Sequence, residues 1–358
     1  MPFFERSHGA NPEKLYAAMG LPLPEKIIDF STNTNALPWP SWYESWSESW
    51  DLRRCLASYP DDEATALRSE IAQRESRHIE GCSVRNVLAV NGSNEAVYLI
   101  ASFFGGRKTV LWQPVYGEYL RALSAYGADV SGVFSPDDLP RDAEAFFLCN
   151  PCNPTGGYIE GSVLEKLILR HSRTLFVVDE AYVDFLIGSP THAPIDFLRH
   201  RNVVVLRSLT KIFHLCGARI GYVLACEERI AQLGTRRPTW SVNSVAQAAA
   251  LAFMKDGAFV RETRSFYAEE TPRFVAATER AGFKVLPTRT HFFLVEVADD
   301  QKVMEALLKR GLVVRHTRNF PGLDGRYIRV STRMPEENDL LVRALQETPN
   351  GRQEAFLR

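Results

Sequence analysis

Between about residues 85 and 225, short runs rich in β-branched and aromatic residues alternate with stretches of helical character. The runs are Val87–Val90, Thr109–Trp112, Ala145–Cys149, Leu175–Val178, Val203–Leu206 and Ile220–Leu224. Several are apolar throughout, which is typical of strands buried on both faces. The stretches between them include Glu95–Phe104 and Gly161–Arg170. This alternation predicts an α/β fold in which helices cover a mostly parallel sheet, and we assign residues 36–260 to this large domain.

The two ends of the chain have a different pattern. Residues 1 to about 35 are rich in Pro and Asn, and the region after about residue 265 alternates helix and strand, with His291–Val297 and Tyr327–Ser331 as strands. We expect residues 1–35 and 261–358 to fold together as a smaller α+β domain. A length of 358 residues fits two domains at about 150 residues each.

Polar and aromatic residues follow the predicted strands, at the sheet edge where ligands bind in open parallel sheets. Ser93 and Asn94 open a helix after the first run, and a helix start can hold a phosphate. Tyr116, after the second run, can stack on a flat ring. Each feature also has a structural explanation, since Ser and Asn cap helices for stability alone.

The later strands are followed by groups that are costly to bury. Asp179 ends an apolar run, and a carboxylate there needs a cationic partner. Lys211 follows another run together with Ser208 and Arg219, and burial lowers the pKa of such an amine and makes it nucleophilic. A phosphate cradle, a stacking aromatic, an acid and a reactive amine together suit pyridoxal 5'-phosphate, a cationic, phosphorylated aromatic aldehyde.

Four segments carry a resemblance to a known family. They are Ser208–Lys211 with Arg219, the N-x-x-N-P-T-G sequence Asn150–Gly156, the D-E-A-Y sequence Asp179–Tyr182, and Ser58–Asp61. The first three resemble motifs of class I and II aminotransferase-fold enzymes, and the fourth resembles the tyrosine segment of the histidinol-phosphate aminotransferase branch. The resemblance implies the fold-type I architecture of pyridoxal-phosphate enzymes, with a seven-stranded sheet and a smaller α+β domain.

Within that branch, four further segments resemble the threonine-phosphate decarboxylases of cobalamin biosynthesis. They are Ser7–Asn11, Asp29–Asn35, Trp240–Asn243 and Asn319–Arg329. The expected activity is decarboxylation of O-phospho-L-threonine to (R)-1-amino-2-propanol O-phosphate. Histidinol-phosphate aminotransferase, or another class I or II aminotransferase, remains the alternative, because the cofactor motifs are the same for both reactions. A cofactor-binding regulator is disfavoured, since the chain has no basic arm.

The resemblance also implies roles for the cofactor site. Lys211 bonds the cofactor aldehyde, Asp179 pairs with the ring nitrogen, Tyr182 and Asn153 hydrogen-bond the 3'-oxygen, and Tyr116 stacks on the ring. The residues expected to hold the 5'-phosphate are Ser93, Asn94, Ser208, Arg219 and, from a partner subunit, Tyr59. The chain is therefore expected to form a homodimer with shared active sites.

The expected substrate is a small phosphorylated amino acid. Arg329 would bind its α-carboxylate, because a planar guanidinium suits bidentate carboxylate binding. Arg315 would meet the substrate phosphate, with help from His8 and Asn33, and Asn153 would also contact the substrate. The nearby Arg318 and Arg333 compete for these roles, and the sequence does not choose among them.

Charge and composition narrow the partners. The chain has 42 Lys and Arg against 43 Asp and Glu, a net charge of −1, whereas nucleic-acid and anionic-membrane surfaces need concentrated positive charge. No run of about 20 apolar residues occurs, and the first ten residues lack the apolar run of a signal peptide. The six scattered cysteines indicate reduced thiols and a cytoplasmic location. Cys149 and Cys152 have no second pair at zinc spacing, so we expect no metal.

Overall fold

A computed structural model of the protein describes residues 9–188 and 195–348. Its strands are β1 (Ile28–Asp29), β2 (Val87–Val90), β3 (Lys108–Trp112), β4 (Asp129–Val133), β5 (Ala145–Cys149), β6 (Leu175–Asp179), β7 (Val203–Ser208), β8 (Gly221–Ala225), β9 (Phe292–Glu296), β10 (Leu312–Val313), β11 (Arg315–His316) and β12 (Tyr327–Ser331). Its α-helices are α1 (Pro12–Met19), α2 (Trp42–Ser49), α3 (Leu52–Ala57), α4 (Thr65–Glu75), α5 (Ser93–Ala101), α6 (Glu118–Ala125), α7 (Gly161–Arg170), α8 (Leu209–Ile212), α9 (Glu227–Gly234), α10 (Ser244–Met254), α11 (Gly257–Arg280), α12 (Asp300–Leu308) and α13 (Pro335–Gln346).

The central sheet has seven strands in the order β2-β8-β7-β6-β5-β3-β4. Strands β3 to β7 are parallel to their neighbours within that group, whereas β8 is antiparallel to both β7 and β2. The predicted α/β architecture with a mostly parallel seven-stranded sheet is therefore confirmed. The parallel strands end at one edge of the sheet, which brings the loops after β3, β5, β6 and β7 together.

Burial on both faces explains the continuous apolar runs. In β5 and β6, Phe146 and Val178 pack into one apolar cluster, whereas Phe147 and Val177 pack into a second one. Successive side chains of a strand point to opposite faces, so the two clusters lie on opposite sides of the sheet. A strand that faces two apolar layers has no position at which a polar residue is favoured.

Three other strands form a small antiparallel sheet in the order β11-β12-β9, and β1 pairs in parallel with β10. The amino-terminal and carboxy-terminal regions share one apolar cluster, in which Phe30 packs with Phe274, Phe293 and Ile328. Helix α11 connects this region to the central one, because Phe259 at its start belongs to the cluster of the large sheet. The domain limits at residues 35 and 260 stay a prediction. Among the residues that the structure describes, no helix is both long and apolar enough to cross a membrane.

Candidate active site

A cavity of about 540 Å³ opens at the edge where the parallel strands end. It is lined by Ser93, Asn94, Tyr116, Cys149, Asn153, Asp179, Ala181, Tyr182, Ser208, Thr210, Lys211 and Arg219. We call it the cofactor cavity. Every residue that the sequence assigned to cofactor binding lies here, with the exception of Tyr59.

At one end of the cofactor cavity, backbone donors lie against a guanidinium. Ser93 and Asn94 form the first turn of α5, preceded by Gly92 with φ 74°. A Cβ on Gly92 would lie 2.7 Å from Nη2 of Arg219, and a Cβ on Gly221 would lie 2.9 Å from the backbone nitrogen of Ser93. Only glycine at both positions lets the helix start, Arg219 and the neighbouring strand approach so closely. Free N–H groups, a helix dipole and an arginine form a cradle that fits a phosphate.

Asp179 lies at the end of β6 and is 5% exposed. Its Oδ2 accepts a 2.6 Å hydrogen bond from the hydroxyl of Tyr119, and its Oδ1 accepts one of 3.0 Å from the backbone N–H of Ala181. Burial raises the pKa of Asp179, and these two hydrogen bonds oppose the rise. Within residues 9–188 and 195–348, no Lys or Arg forms an ion pair with it. A buried acid without a cationic partner fits a ligand that brings its own positive charge, such as a protonated ring nitrogen.

Lys211 is carried by α8, the single turn that follows β7. Its backbone carbonyl accepts a 3.1 Å hydrogen bond from the N–H of Asn35, which joins the amino-terminal segment to the lysine turn. Desolvation lowers the pKa of the Lys211 amine, and the charges of Arg329 and Arg219 act in the same direction. The site therefore favours the neutral, nucleophilic form of the amine.

Aromatic and amide groups complete the cofactor cavity. Tyr182 is buried and meets Phe292 edge-on, with ring centroids 4.9 Å apart. Burial raises the pKa of Tyr182 and of Tyr116, so both hydroxyls stay protonated at neutral pH. Asn153 accepts a hydrogen bond from Nη1 of Arg329, which connects this cavity to the next.

A second cavity of about 1220 Å³ adjoins the first and shares Tyr116, Asn153, Tyr182, Lys211 and Arg219 with it. We call it the substrate cavity. The other charged or titratable side chains that line it are His214, Cys216, Arg315 and Arg329. No Asp or Glu is among the described residues that line this space, so it favours a ligand with negative charge.

Arg315 and Arg329 lie directly opposite each other, because they are cross-strand partners in the register of β11 and β12. Both are buried, at 4% and 5% exposure. Nη2 of Arg315 donates to Asn319 Oδ1 at 2.9 Å, and Nη2 of Arg329 donates to the carbonyl of Ser31 at 2.5 Å. Desolvation lowers the pKa of Arg315 to about 9 and that of Arg329 to about 10. Two buried cations on adjacent strands are well suited to an anionic partner.

The two competing arginines have other partners. Arg318 pairs with Asp299 and Asp300, at 2.6 Å in each case. Arg333 pairs with Glu337 at 3.0 Å and donates to the backbone carbonyl of Asp29 at 3.2 Å. Neither lines the substrate cavity. The geometry therefore favours Arg315 and Arg329 as the substrate-binding arginines, and their individual roles stay predictions.

The remaining predicted residues differ in placement. Asn33 lines the substrate cavity and is buried, at 3% exposure. Tyr59 is 79% exposed and stacks on Trp240 with centroids 4.5 Å apart, so it lines neither cavity of its own chain. Its assignment to a partner subunit's site stays a prediction. His8 lies outside the described residues.

Sequence reasoning missed two residues at this site. Tyr119 donates to Asp179, and no local sequence signal reveals this contact, because the two residues are 60 positions apart in the chain. His214 lines the substrate cavity with φ 54°, a backbone conformation that is uncommon outside glycine and often occurs at functional sites.

Comparisons with known proteins agree with this geometry. The profile of the family "Aminotransferase class I and II" matches residues 25–345. The threonine-phosphate decarboxylase of Salmonella typhimurium is 30% identical, over 98% of this chain and 99% of its own length. A histidinol-phosphate aminotransferase of Thermoanaerobacter pseudethanolicus is 32% identical, over 81% of this chain and 84% of its own.

A solved structure shows the same likeness. The crystal structure of L-threonine-O-3-phosphate decarboxylase from Porphyromonas gingivalis superposes with a TM-score of 0.80 at 27% identity, and the match covers 89% of this chain and 98% of that one. The cofactor predicted from the residues is the cofactor of this family. The chain belongs to the class I and II aminotransferase family, and its cofactor is pyridoxal 5'-phosphate.

Proposed function

We propose that this chain decarboxylates O-phospho-L-threonine to (R)-1-amino-2-propanol O-phosphate, a step of cobalamin biosynthesis. The observation that carries the proposal is the pair of buried arginines, Arg315 and Arg329, facing each other across β11 and β12 in a cavity lined by no described carboxylate. Phosphothreonine carries a carboxylate and a phosphate on adjacent carbons, and two adjacent guanidinium groups match such a compact pair of anionic groups. The threonine-phosphate decarboxylase relative, matched over nearly its whole length, supports the same substrate.

The cofactor, when bound, supplies an aromatic ring that withdraws electrons from a bond at the substrate α-carbon. In our proposal Asp179 keeps a proton on the ring nitrogen, which strengthens that withdrawal. Tyr182 and Asn153 donate hydrogen bonds to the ring oxygen, and the α5 start with Arg219 holds the phosphate. These residues serve every reaction of the family, so they do not select decarboxylation.

Selection depends on how the substrate is turned, because the bond perpendicular to the ring plane is the one that breaks. We propose that Arg329 binds the α-carboxylate and Arg315 binds the phosphate, so that two anchors fix rotation about the α-carbon. The carboxylate leaves as carbon dioxide, its bonding electrons stay on the substrate, and a proton replaces it at the α-carbon. Lys211, an amine whose pKa is lowered by burial, is the group proposed to move that proton.

A second candidate is histidinol-phosphate aminotransferase, which the Thermoanaerobacter pseudethanolicus relative favours. Its substrate has a phosphate, and its co-substrate is a dicarboxylic acid, so the same arginine pair could bind each in turn. The two candidates differ in the bond that is broken. An aminotransferase must break the bond from the α-carbon to hydrogen, and it must retain the carboxylate of its amino-acid partner.

One assay separates the two reactions. The purified protein, loaded with the cofactor, is incubated with O-phospho-L-threonine while carbon dioxide and aminopropanol phosphate are measured. A parallel incubation contains histidinol phosphate and 2-oxoglutarate, with glutamate as the readout. The proposal expects equal amounts of carbon dioxide and aminopropanol phosphate in the first tube and no glutamate in the second. Glutamate formation without carbon dioxide from phosphothreonine would establish the aminotransferase instead.

A further inference from the structure

We propose that Tyr119 is a positioning residue that keeps Asp179 ionised and fixes its carboxylate toward the ring nitrogen of the cofactor. The proposal rests on the role proposed above for Asp179, and it is independent of which substrate the enzyme uses. Tyr119 does not line the cofactor cavity, so it would act through Asp179 and not by touching the cofactor.

The hydrogen bond between these residues connects distant parts of the chain. Tyr119 lies in α6, 60 residues before Asp179, and its hydroxyl donates to Oδ2 at 2.6 Å. The other carboxylate oxygen, Oδ1, accepts from the N–H of Ala181 at 3.0 Å. A carboxylate has about four lone-pair sites, so two donors fix its rotation and still leave acceptor capacity for a ligand.

The ring of Tyr119 is itself held in place. It is 1% exposed, meets Tyr116 edge-on with centroids 5.7 Å apart, and packs against Phe147 at 5.8 Å. Tyr116 lines the cofactor cavity and is the proposed stacking residue. Tyr119 therefore contacts both the residue that would stack on the ring and the acid that would face its nitrogen, and it couples their positions.

The electrostatic surroundings of Asp179 require such a donor. The titratable groups that interact with it are Tyr116, Tyr119, Cys149, Glu180, Tyr182 and Lys211. Burial and the charge of Glu180 raise the pKa of Asp179, and Tyr119, Ala181 and Lys211 lower it. The pKa of Tyr119 lies well above its ordinary value, chiefly through burial, so its hydroxyl remains a donor throughout the neutral range.

The test replaces Tyr119 with Phe and measures cofactor binding without substrate. Equilibrium dialysis of the apoprotein gives the dissociation constant of pyridoxal 5'-phosphate from about pH 6 to about pH 9. We expect Tyr119→Phe to raise it by about 10- to 100-fold at the acidic end, the range of a hydrogen bond to a charged group. The pKa of Asp179 is raised in the variant, so its acid form is populated at low pH and lost as pH rises. The loss of cofactor affinity relative to the wild type should therefore become smaller toward alkaline pH.

Tyr16→Phe is the matched control. Tyr16 is also buried, at 2% exposure, its hydroxyl donates to the carbonyl of Leu308 at 2.7 Å, and it lines neither cavity. It loses a comparable buried hydrogen bond, so it reports any general loss of stability. We expect its cofactor affinity to equal that of the wild type at every pH. A Tyr119→Phe variant that behaves like Tyr16→Phe, or whose deficit is the same at every pH, would overturn the proposal.

Infrared titration of the apoprotein gives a readout that needs no cofactor. The carboxylic acid band of Asp179 is identified as the band that disappears in Asp179→Asn. In Tyr119→Phe this band should persist to a higher pH than in the wild type. An unchanged titration would show that Tyr119 does not control the charge of Asp179. Neither measurement uses phosphothreonine, so both results would remain valid if the proposed substrate were wrong.

Discussion

At the scale of single residues, Lys211 is the group whose chemistry depends most directly on its surroundings. Only the neutral amine attacks an aldehyde, and burial together with Arg329 and Arg219 lowers the pKa of Lys211 below its ordinary value of 10.5. Below the lowered pKa the amine is protonated and unreactive. The rate at which the apoprotein captures the cofactor should therefore rise with pH and level off below pH 10.5.

The same argument predicts the effect of a neighbouring charge. Arg329→Met removes a cation that lowers the pKa of Lys211, so the plateau of the capture rate should move to higher pH. Stopped-flow absorbance of the lysine-bound cofactor measures this rate, and Lys211→Ala should show no such band. Arg326→Met is the control, because Arg326 is an exposed arginine in the same segment that donates to the carbonyl of Gly322 at 3.2 Å. Identical profiles for the two arginine variants would contradict the argument.

The substrate arginines show why the roles of some residues cannot be assigned from the sequence alone. Arg315 and Arg318 are three positions apart, and nothing in their spacing distinguishes a cavity-lining arginine from an ion-paired one. The distinction comes from tertiary contacts. Strand register places Arg315 opposite Arg329, and the carboxylates of Asp299 and Asp300, at the start of α12, hold Arg318 elsewhere. Neither contact is encoded near the arginines themselves.

At the scale of elements, the turn between β2 and α5 determines the shape of the phosphate cradle. A Cβ at Gly92 would collide with Arg219, so Gly92→Ala should displace that guanidinium and weaken cofactor binding by about tenfold or more. Gly106→Ala is a close control, since Gly106 has φ 70° and its added Cβ would meet nothing within 4 Å. Both positions have positive φ, so both variants carry a backbone cost of about 1–3 kcal/mol. Equilibrium dialysis should show lost cofactor affinity for Gly92→Ala alone.

The strands that sequence reasoning identified are those with two buried faces. Every residue of β5, β6, β7 and β8 is buried, so their apolar runs stand out. The apolar runs of the sequence did not predict strand β4. It lies at the sheet edge, no residue in it is buried, and its sequence Asp-Val-Ser-Gly-Val has little β propensity. Its pairing with β3 comes from the backbone and from tertiary context, which a local pattern does not contain.

A buried ion pair joins Arg207 of β7 to Glu180, the residue that follows β6, and neither residue lines the cofactor cavity. Nε of Arg207 lies 2.9 Å from Glu180, and Glu75 lies 4.0 Å from the same guanidinium, with side-chain exposures of 10%, 1% and 4%. Arg207→Met would remove the guanidinium that pairs with the buried carboxylate of Glu180. We expect it to lower the free energy of unfolding by about 3–5 kcal/mol in urea denaturation. Arg201→Met, which breaks the exposed pair with Glu228, should cost about 1 kcal/mol or less.

At the scale of the whole molecule, the exposed Tyr59 raises the question of a second subunit. Its ring stacks on Trp240 at the surface and lines neither cavity, yet it lies in the segment that resembles the tyrosine motif of the family. We propose that its hydroxyl reaches the cofactor phosphate of a partner subunit in a homodimer. Tyr59→Phe keeps the ring and removes only the hydroxyl, so it should weaken cofactor binding without disturbing the stack.

Mixing two impaired chains, at a cofactor concentration too low to load the Tyr59→Phe protein, tests whether sites are shared. In a dimer formed from one Lys211→Ala chain and one Tyr59→Phe chain, a site built across the interface combines the intact Lys211 of one chain with the intact Tyr59 of the other. Half the sites of each mixed dimer would then be native, and random mixing should restore about one quarter of the wild-type activity per site. If Tyr59 served its own chain, every site would lack one of the two groups. The mixture would then show only the average activity of the separate variants, and the shared-site dimer would be wrong.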